Sequence, residues 1–337
     1  MSKEPKTPGS FMAAEIAEAP EVFALTASVD HTANLVPLGL QERRAVYTIA
    51  RGSSDAAANI LSYTFMRHLG IPVTSLPPST FSVYSGVDMR NAVGLLISQS
   101  GASDDLVHSA KGIREHGGSV IALTNQPASP VEAVADATLP ISAGPEHAVP
   151  ATKTVIGSIA AGMACLGAWH PSYRELALAG AVAMKTLGEM PNSDDEKLRA
   201  ALLRAQHVYV IGRGAGFGAA HEVALKLKET CALHAEAYSA SEVLHGPLQL
   251  VTKPLFVLLL DSGEPETQES LDKAQARFEQ AGGEVIRLRP PDAEDLCPAA
   301  ASAMLLYMVY PVILATALAL GHDPDQPSTL SKVTRTT

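Results

Sequence analysis

The amino-acid sequence predicts an α/β protein of two tandem, duplicated subdomains, each a parallel sheet flanked by helices in a three-layer αβα arrangement. Short apolar runs bounded by glycine and polar residues alternate with helical periodicity, the pattern of a parallel sheet covered on both faces. The run Val46-Tyr-Thr-Ile-Ala-Arg-Gly52 returns as Val208-Tyr-Val-Ile-Gly-Arg-Gly214, an offset of 208 − 46 = 162. The same offset aligns Ala57-Ala58 with Ala219-Ala220, Val93–Ile97 with Leu255–Leu259, and Ser100-Gly101 with Ser262-Gly263. Gly117-Gly118 before Ser-Val-Ile-Ala-Leu matches Gly282-Gly283 before Glu-Val-Ile-Arg-Leu once the second copy has gained a few residues.

Taken in order, a polar, Pro-bearing start to Gly9 reads as a frayed tail, and Ala14 to about Val36 as an amphipathic helical packing arm. The first subdomain opens with a strand ending at Gly52, followed by Ser53-Ser-Asp-Ala-Ala-Ala58 and a helix through about His68. Val73–Leu76 is a short strand, Val93–Ile97 a buried one, Ser103–His116 a helix, and the segments ending at Leu123 and Ile141 two further strands. The boundary between the copies falls near Pro191-Asn-Ser-Asp-Asp-Glu196. The domain reading is residues 1–44 tail and arm, 45–190 first subdomain, 191–322 second subdomain, and 323–337 a C-terminal tail. Ala299–Leu320 has no charged residue and is long enough to span a bilayer; Pro311 in mid-run and the lack of basic or aromatic flanks favour a helix buried in the core.

A hydrophobic fraction of 47% in 337 residues is ample for two cores, and a net charge of −10 with no Lys/Arg cluster excludes a nucleic-acid surface. Cys165, Cys231 and Cys297 are odd in number, far apart and without Cys-x-x-Cys spacing, so a reduced, cytoplasmic chain is expected. Gly212-Arg-Gly-Ala-Gly-Phe-Gly218 follows a strand, yet the acidic partner of a dinucleotide fingerprint falls in a predicted helix, and the equivalent Gly52-Ser53-Ser54 holds no such motif.

Ser98-Gln-Ser-Gly-Ala-Ser103 joins a buried strand to a helix start. Backbone amides there suit a phosphate held by neutral donors, and Ser98, Gln99, Ser100 and Ser103 add polar side chains. An ordinary N-cap accounts for the same residues. Reactive groups are densest from Lys226 to His245. On a helix Lys226 and Glu229 share a face at i, i+3, so the carboxylate is oriented as a base; a surface ion pair is the alternative. His234, Glu236 and His245 lack the compact spacing of a zinc site, and neither metal nor cofactor is expected.

Together with Glu15-Ile-Ala-Glu-Ala-Pro20, the motifs Ser98–Gly101, Ala151-Thr-Lys153, Leu225-Lys-Leu-Lys-Glu229, His234-Ala-Glu-Ala237, Glu242-Val-Leu-His-Gly-Pro247 and Asp323-Pro-Asp-Gln-Pro327 before Leu330-Ser-Lys332 resemble the paired sugar isomerase (SIS) domain family. The likeness is to the isomerase half of glucosamine-6-phosphate synthase and to stand-alone amino-sugar phosphate deaminases, of flavodoxin-like fold. The resemblance implies that Ser98, Gln99, Ser100 and Ser103 bind the sugar phosphate, and that Gly52, Ser53, Ser54 and Val149 line the sugar with Lys226 beside them. It implies Glu229 as the base between C1 and C2, His245 in ring opening, and Lys332 on the open-chain sugar. It further implies a phosphorylated amino sugar as ligand, and a homodimer whose partner supplies the histidine. Too few residues precede the first copy for the synthase's glutaminase domain, so glutamine-dependent synthesis is not expected. The reaction expected is deamination of glucosamine 6-phosphate to fructose 6-phosphate. The alternatives are a plain ketose/aldose isomerase, a fructosamine-phosphate deglycase, or a sensor that binds without turnover. Two departures bear on the substrate: Pro150 removes a backbone donor beside Val149, and the Lys332–Thr337 end lacks acidic residues.

Overall fold

The computed structural model describes residues 7–190 and 195–332, so residues 1–6 of the polar start, 191–194 of the boundary and 333–337 of the tail lie outside the described residues. The first sheet runs β2-β1-β3-β4-β5, all parallel: β1 Ala45–Ile49, β2 Val73–Ser75, β3 Ala92–Ser98, β4 Ser119–Thr124 and β5 Ala137–Pro140. The second runs β7-β6-β8-β9, also parallel, from β6 His207–Gly212, β7 His234–Ser239, β8 Phe256–Leu260 and β9 Glu284–Leu288. The strand order is the same, short of the fifth strand. All seven residues of β3 are buried, which is why its apolar run does not alternate.

The longer helices are α1 Ser10–Ala27, α2 Ser53–Leu69, α3 Asp104–Glu115, α4 Lys153–Trp169, α5 Tyr173–Glu189, α6 Glu196–Arg204, α7 Ala215–Cys231, α8 Pro265–Gln280 and α9 Pro298–Ala319. The duplication holds to the residue here: 53 + 162 = 215 and 69 + 162 = 231, the bounds of α2 and α7. Gly52 (φ 54°, ψ −128°) and Gly214 (φ 58°, ψ −134°) precede these helices in a conformation that side chains disfavour, so the paired glycines serve one repeated strand-to-helix turn. The two helices pack on each other. A Cβ on Gly218 would lie 2.6 Å from the Ile60 nitrogen and 2.9 Å from the Ala56 oxygen. Since 56 + 162 = 218, the helices cross at equivalent positions, as a local twofold requires. The last glycine of the Gly212–Gly218 run is a helix-packing residue.

The N-terminal helix departs from expectation. It starts at Ser10 and ends at Ala27, earlier than the expected Ala14 to about Val36, and packs Met12, Ile16, Ala19 and Phe23 against α4 and α5. The chain then turns where Asp30 accepts a hydrogen bond from the Thr32 amide, and only short helical turns follow. Among the described residues α9 alone is long and apolar enough to cross a membrane; most of it is buried, against α7 and its neighbours. The three cysteines are free and buried, and burial pushes the Cys165 thiol up to about 12 and Cys231 up to about 11.

Candidate functional site

At the C-terminal end of β3 the Ser98 Oγ accepts a hydrogen bond from the Gly101 amide (3.0 Å), and the Ser100 Oγ accepts one from Ala102 (3.3 Å). The Gln99 and Gly101 carbonyls accept from Asn125 and Val131, fixing the loop between neighbouring turns. Ser103 is the N-cap of α3 in extended backbone, but its hydroxyl makes no capping bond. The ordinary N-cap alternative is therefore not what the Ser103 side chain does; within the first turn Asp105 Oδ1 accepts from the Leu106 amide (2.9 Å).

The equivalent loop in the second copy, Leu260–Pro265, is built differently. Glu264 Oε1 accepts from the Ala215 amide at the start of α7 (3.2 Å) and from the Ser262 hydroxyl (3.2 Å). Asp261 accepts from Gly263 (2.9 Å) and pairs with Arg287 (2.8 Å). Arg67 reaches Glu264 at 3.7 Å and Glu266 at 2.9 Å.

Helix α7 presents Glu222, Lys226 and Glu229 at i, i+4 and i+7, on one face. Lys226 is 1% exposed, so its bond to Glu229 is not a surface ion pair; the Glu229 side chain keeps 25% exposure. Lys226 also lies 3.5 Å from Glu222, whose Oε1 accepts from the Tyr310 hydroxyl of α9 (3.1 Å). Burial raises Glu222 to about 7, against the pull of Lys226. Burial alone would depress Lys226, but Glu222 and Glu229 outweigh it and hold the ammonium above its usual range. One buried cation thus fixes a carboxylate that is one-quarter exposed, leaving its outer edge available as a base.

Ser53, at the start of α2, hydrogen-bonds Glu222, so the first copy's Gly52–Ser54 turn meets the second copy's helix; Gly52 and Ser54 stand beside it, exposed and half-buried. On the other side Glu146 accepts from the Thr152 and Thr154 amides (3.0 and 3.1 Å) and the Thr154 hydroxyl (2.7 Å). Its field reaches Lys226 and Tyr310. Lys332 Nζ donates to the Ala148 carbonyl (2.5 Å) and to Glu146 (3.3 Å). The half-buried Val149 donates its amide to the Asp325 carbonyl (2.9 Å). The Asp325 carboxylate accepts from Phe11 and Met12 (2.9 and 2.8 Å) and Asp323 from Gly9 (3.1 Å), capping α1 from the far end of the chain.

Glu229, Lys226, Gly52–Ser54, Val149 and Lys332 therefore converge on linked elements. His245 does not join them. It is exposed at the end of a 3₁₀ turn, Glu242–His245, and shares no hydrogen bond or ion pair with Glu229, Lys226 or Lys332 among the described residues. His234 and Glu236 belong to β7, outside the α7 cluster; the dense run from Lys226 to His245 is three separate elements. Among the described residues no group of three or more His, Cys, Asp or Glu could hold a metal. Glu222 was missed, although its helical spacing from Lys226 and Glu229 was a usable signal. Glu146 and Tyr310 gave none, and Glu15 stood only as the first residue of a matched motif.

The SIS domain model matches residues 39–168 and 201–305. A glutamine–fructose-6-phosphate aminotransferase (isomerizing) from Pyrobaculum aerophilum is 34% identical, over 96% of this chain and 57% of its own length. One from Aeropyrum pernix is 32% identical over 96% and 56%. The chain thus spans little more than half the length of these curated relatives. Among solved structures, a candidate phosphosugar isomerase from Silicibacter pomeroyi DSS-3 superposes with a TM-score of 0.84 at 32% identity, covering 94% of this chain and 99% of that one. Glucosamine-6-phosphate deaminase from Thermotoga maritima shares the fold, with a TM-score of 0.72 at 20% identity, covering 97% and 100%.

Proposed function

The chain belongs to the SIS domain family, and on that premise we propose that it is a phosphosugar isomerase that deaminates an amino-sugar phosphate, glucosamine 6-phosphate or a close relative. The observation that supports this most is the Glu229 carboxylate, one-quarter exposed and held by a buried lysine, on a helix that touches the serine turn of the other copy. Ser98, Gln99, Ser100 and Ser103 would hold the phosphate, with Gly52, Ser54 and Val149 along the sugar.

In this reading His245 opens the pyranose ring. Glu229 removes the C2 proton of the open-chain aldehyde and returns it to C1, leaving a C2 imine that water hydrolyses: amino-sugar phosphate plus water gives ketose phosphate plus ammonia. Lys332 contacts the open-chain sugar. Because His245 shares no bond with Glu229 within one chain, a second copy would supply it, and the working form would be a homodimer with shared sites. The reading also draws on relatives whose names join fructose 6-phosphate to amino transfer. The test is ammonia release from glucosamine 6-phosphate with fructose 6-phosphate followed in the same tube. Equal amounts of both are expected; ketose without ammonia would reduce the protein to an isomerase, and saturable binding without product would make it a sensor.

A further inference from the structure

Glu15, on α1, is 3% exposed. Its Oε1 accepts from the backbone amides of His147 and Ala148, and its Oε2 is buried with no partner. The Ala148 carbonyl on the other side of that peptide accepts from Lys332 Nζ. Lys332 thus touches Glu146 directly and is joined to Glu15 through the backbone of Ala148 and by charge. The two carboxylates are not equivalent: donors reach both oxygens of Glu146, whereas one oxygen of Glu15 has none.

We infer that Glu15 is a positioning residue for Lys332: ionised, it holds the ammonium on Ala148 and Glu146, and protonated, it lets the amine become neutral and leave for a sugar carbonyl. The inference rests on the proposed function only for what Lys332 then does. There the neutral amine forms a C–N bond to the ketose carbonyl carbon and the carbonyl oxygen departs as water. Burial raises Glu15 to about 7, with Glu146 adding to the rise and the His147 and Ala148 amides and Lys332 opposing it. Below that pH one carboxylate faces the lysine; above it, two do. The other charged groups near Glu15 are the His147 ring and the Glu18–Lys153 ion pair at the rim of a neighbouring cleft, while the Asp325 carboxylate is taken up by the amides at the start of α1.

The experiment is an NMR titration of Lys332 in the full chain carrying isotope-labelled lysine, its signal assigned by its loss in Lys332→Arg. In the parent protein the Lys332 signal should step near pH 7. The step should persist in His147→Gln and vanish in Glu15→Gln, which keeps an acceptor for the two amides. Absence of the step in the parent, or its survival in Glu15→Gln, overturns the inference. Borohydride trapping with fructose 6-phosphate separates the two readings. Linkage without trapping leaves the Glu15 inference standing and removes the sugar chemistry of Lys332; trapping without linkage does the reverse.

Discussion

The two copies share a backbone and divide sharply in what they put on it. In the first, the loop after the central strand carries Ser98, Gln99, Ser100 and Ser103, and the Ser103 hydroxyl makes no bond to the helix it opens. In the second, Glu264 occupies the corresponding space, bonded to the first amide of α7, and Pro265 replaces the residue equivalent to Ser103. The helices differ in the opposite sense: subtracting 162 from Glu222, Lys226 and Glu229 gives Ile60, Thr64 and Arg67, and Arg67 pairs with Glu264 and Glu266. The first copy therefore carries the serine loop and the second the helix with two carboxylates and a lysine, while the second copy's loop places a carboxylate that an arginine from the first copy's helix answers. Duplication preserves the fold because packing at Ala56 and Gly218 demands it; nothing in packing demands that both sites stay chemical.

The largest effect that would test this asymmetry is on Glu229. Glu229→Gln should lower kcat on the amino-sugar phosphate by about 10² to 10⁴ with ligand affinity little changed; steady-state kinetics alongside calorimetry would show it, and retained turnover would break the assignment. Next is the pH dependence of stability, to which Glu222 on α7 contributes while its equivalent on α2, Ile60, carries no proton to exchange. Glu222 holds its proton to about 7 folded against an ordinary 4.5, so the folded chain binds more protons between those values. Its contribution is complete below the lower value and is lost as pH rises through the upper one. Unfolding midpoints measured from about pH 4 to about pH 8 should fall less steeply in Glu222→Gln.

The loop comparison comes third. Ser100→Ala with Ser103→Ala should weaken sugar-phosphate binding by roughly 10²-fold, hydrogen bonds to a charged group being worth about 1.5–3 kcal/mol each. Ser262→Ala should leave binding unchanged, and equal losses at the two loops would erase the distinction. Smaller still, Asp325→Ala should cost about 1–2 kcal/mol of stability by uncapping α1. Arg67→Ala, at a half-exposed ion pair, should cost less than about 1 kcal/mol. Chemical denaturation would rank the two.

Much of the architecture was legible because a repeat fixes strand order and helix bounds at once: the 162-residue offset alone places α7 from α2. The serine loop and the Lys226–Glu229 face were also readable, since both are local in the chain. What escaped the sequence was non-local. Glu15 and Glu146 lie 146 − 15 = 131 residues apart and meet only through the peptide at His147-Ala148. The edge strand β7 was read as a reactive cluster because His234 and Glu236 drew attention to their functional groups, when their alternation with Ala235 and Ala237 is that of a strand. The N-terminal helix was placed too far along, because its start is capped by Asp323 and Asp325 and not by any residue near Ser10.

That distant cap has a bearing on how the protein is made. Synthesis runs from the N-terminus, so the amides of Phe11 and Met12 are in place long before the carboxylate that satisfies them. Lys332 follows Asp325 by only seven residues, 332 − 325, and reaches its place through the same strand of chain. The first helix is finished and the last lysine delivered in a single late docking event, so a chain cut short before Asp325 would have both sheets and no assembled site.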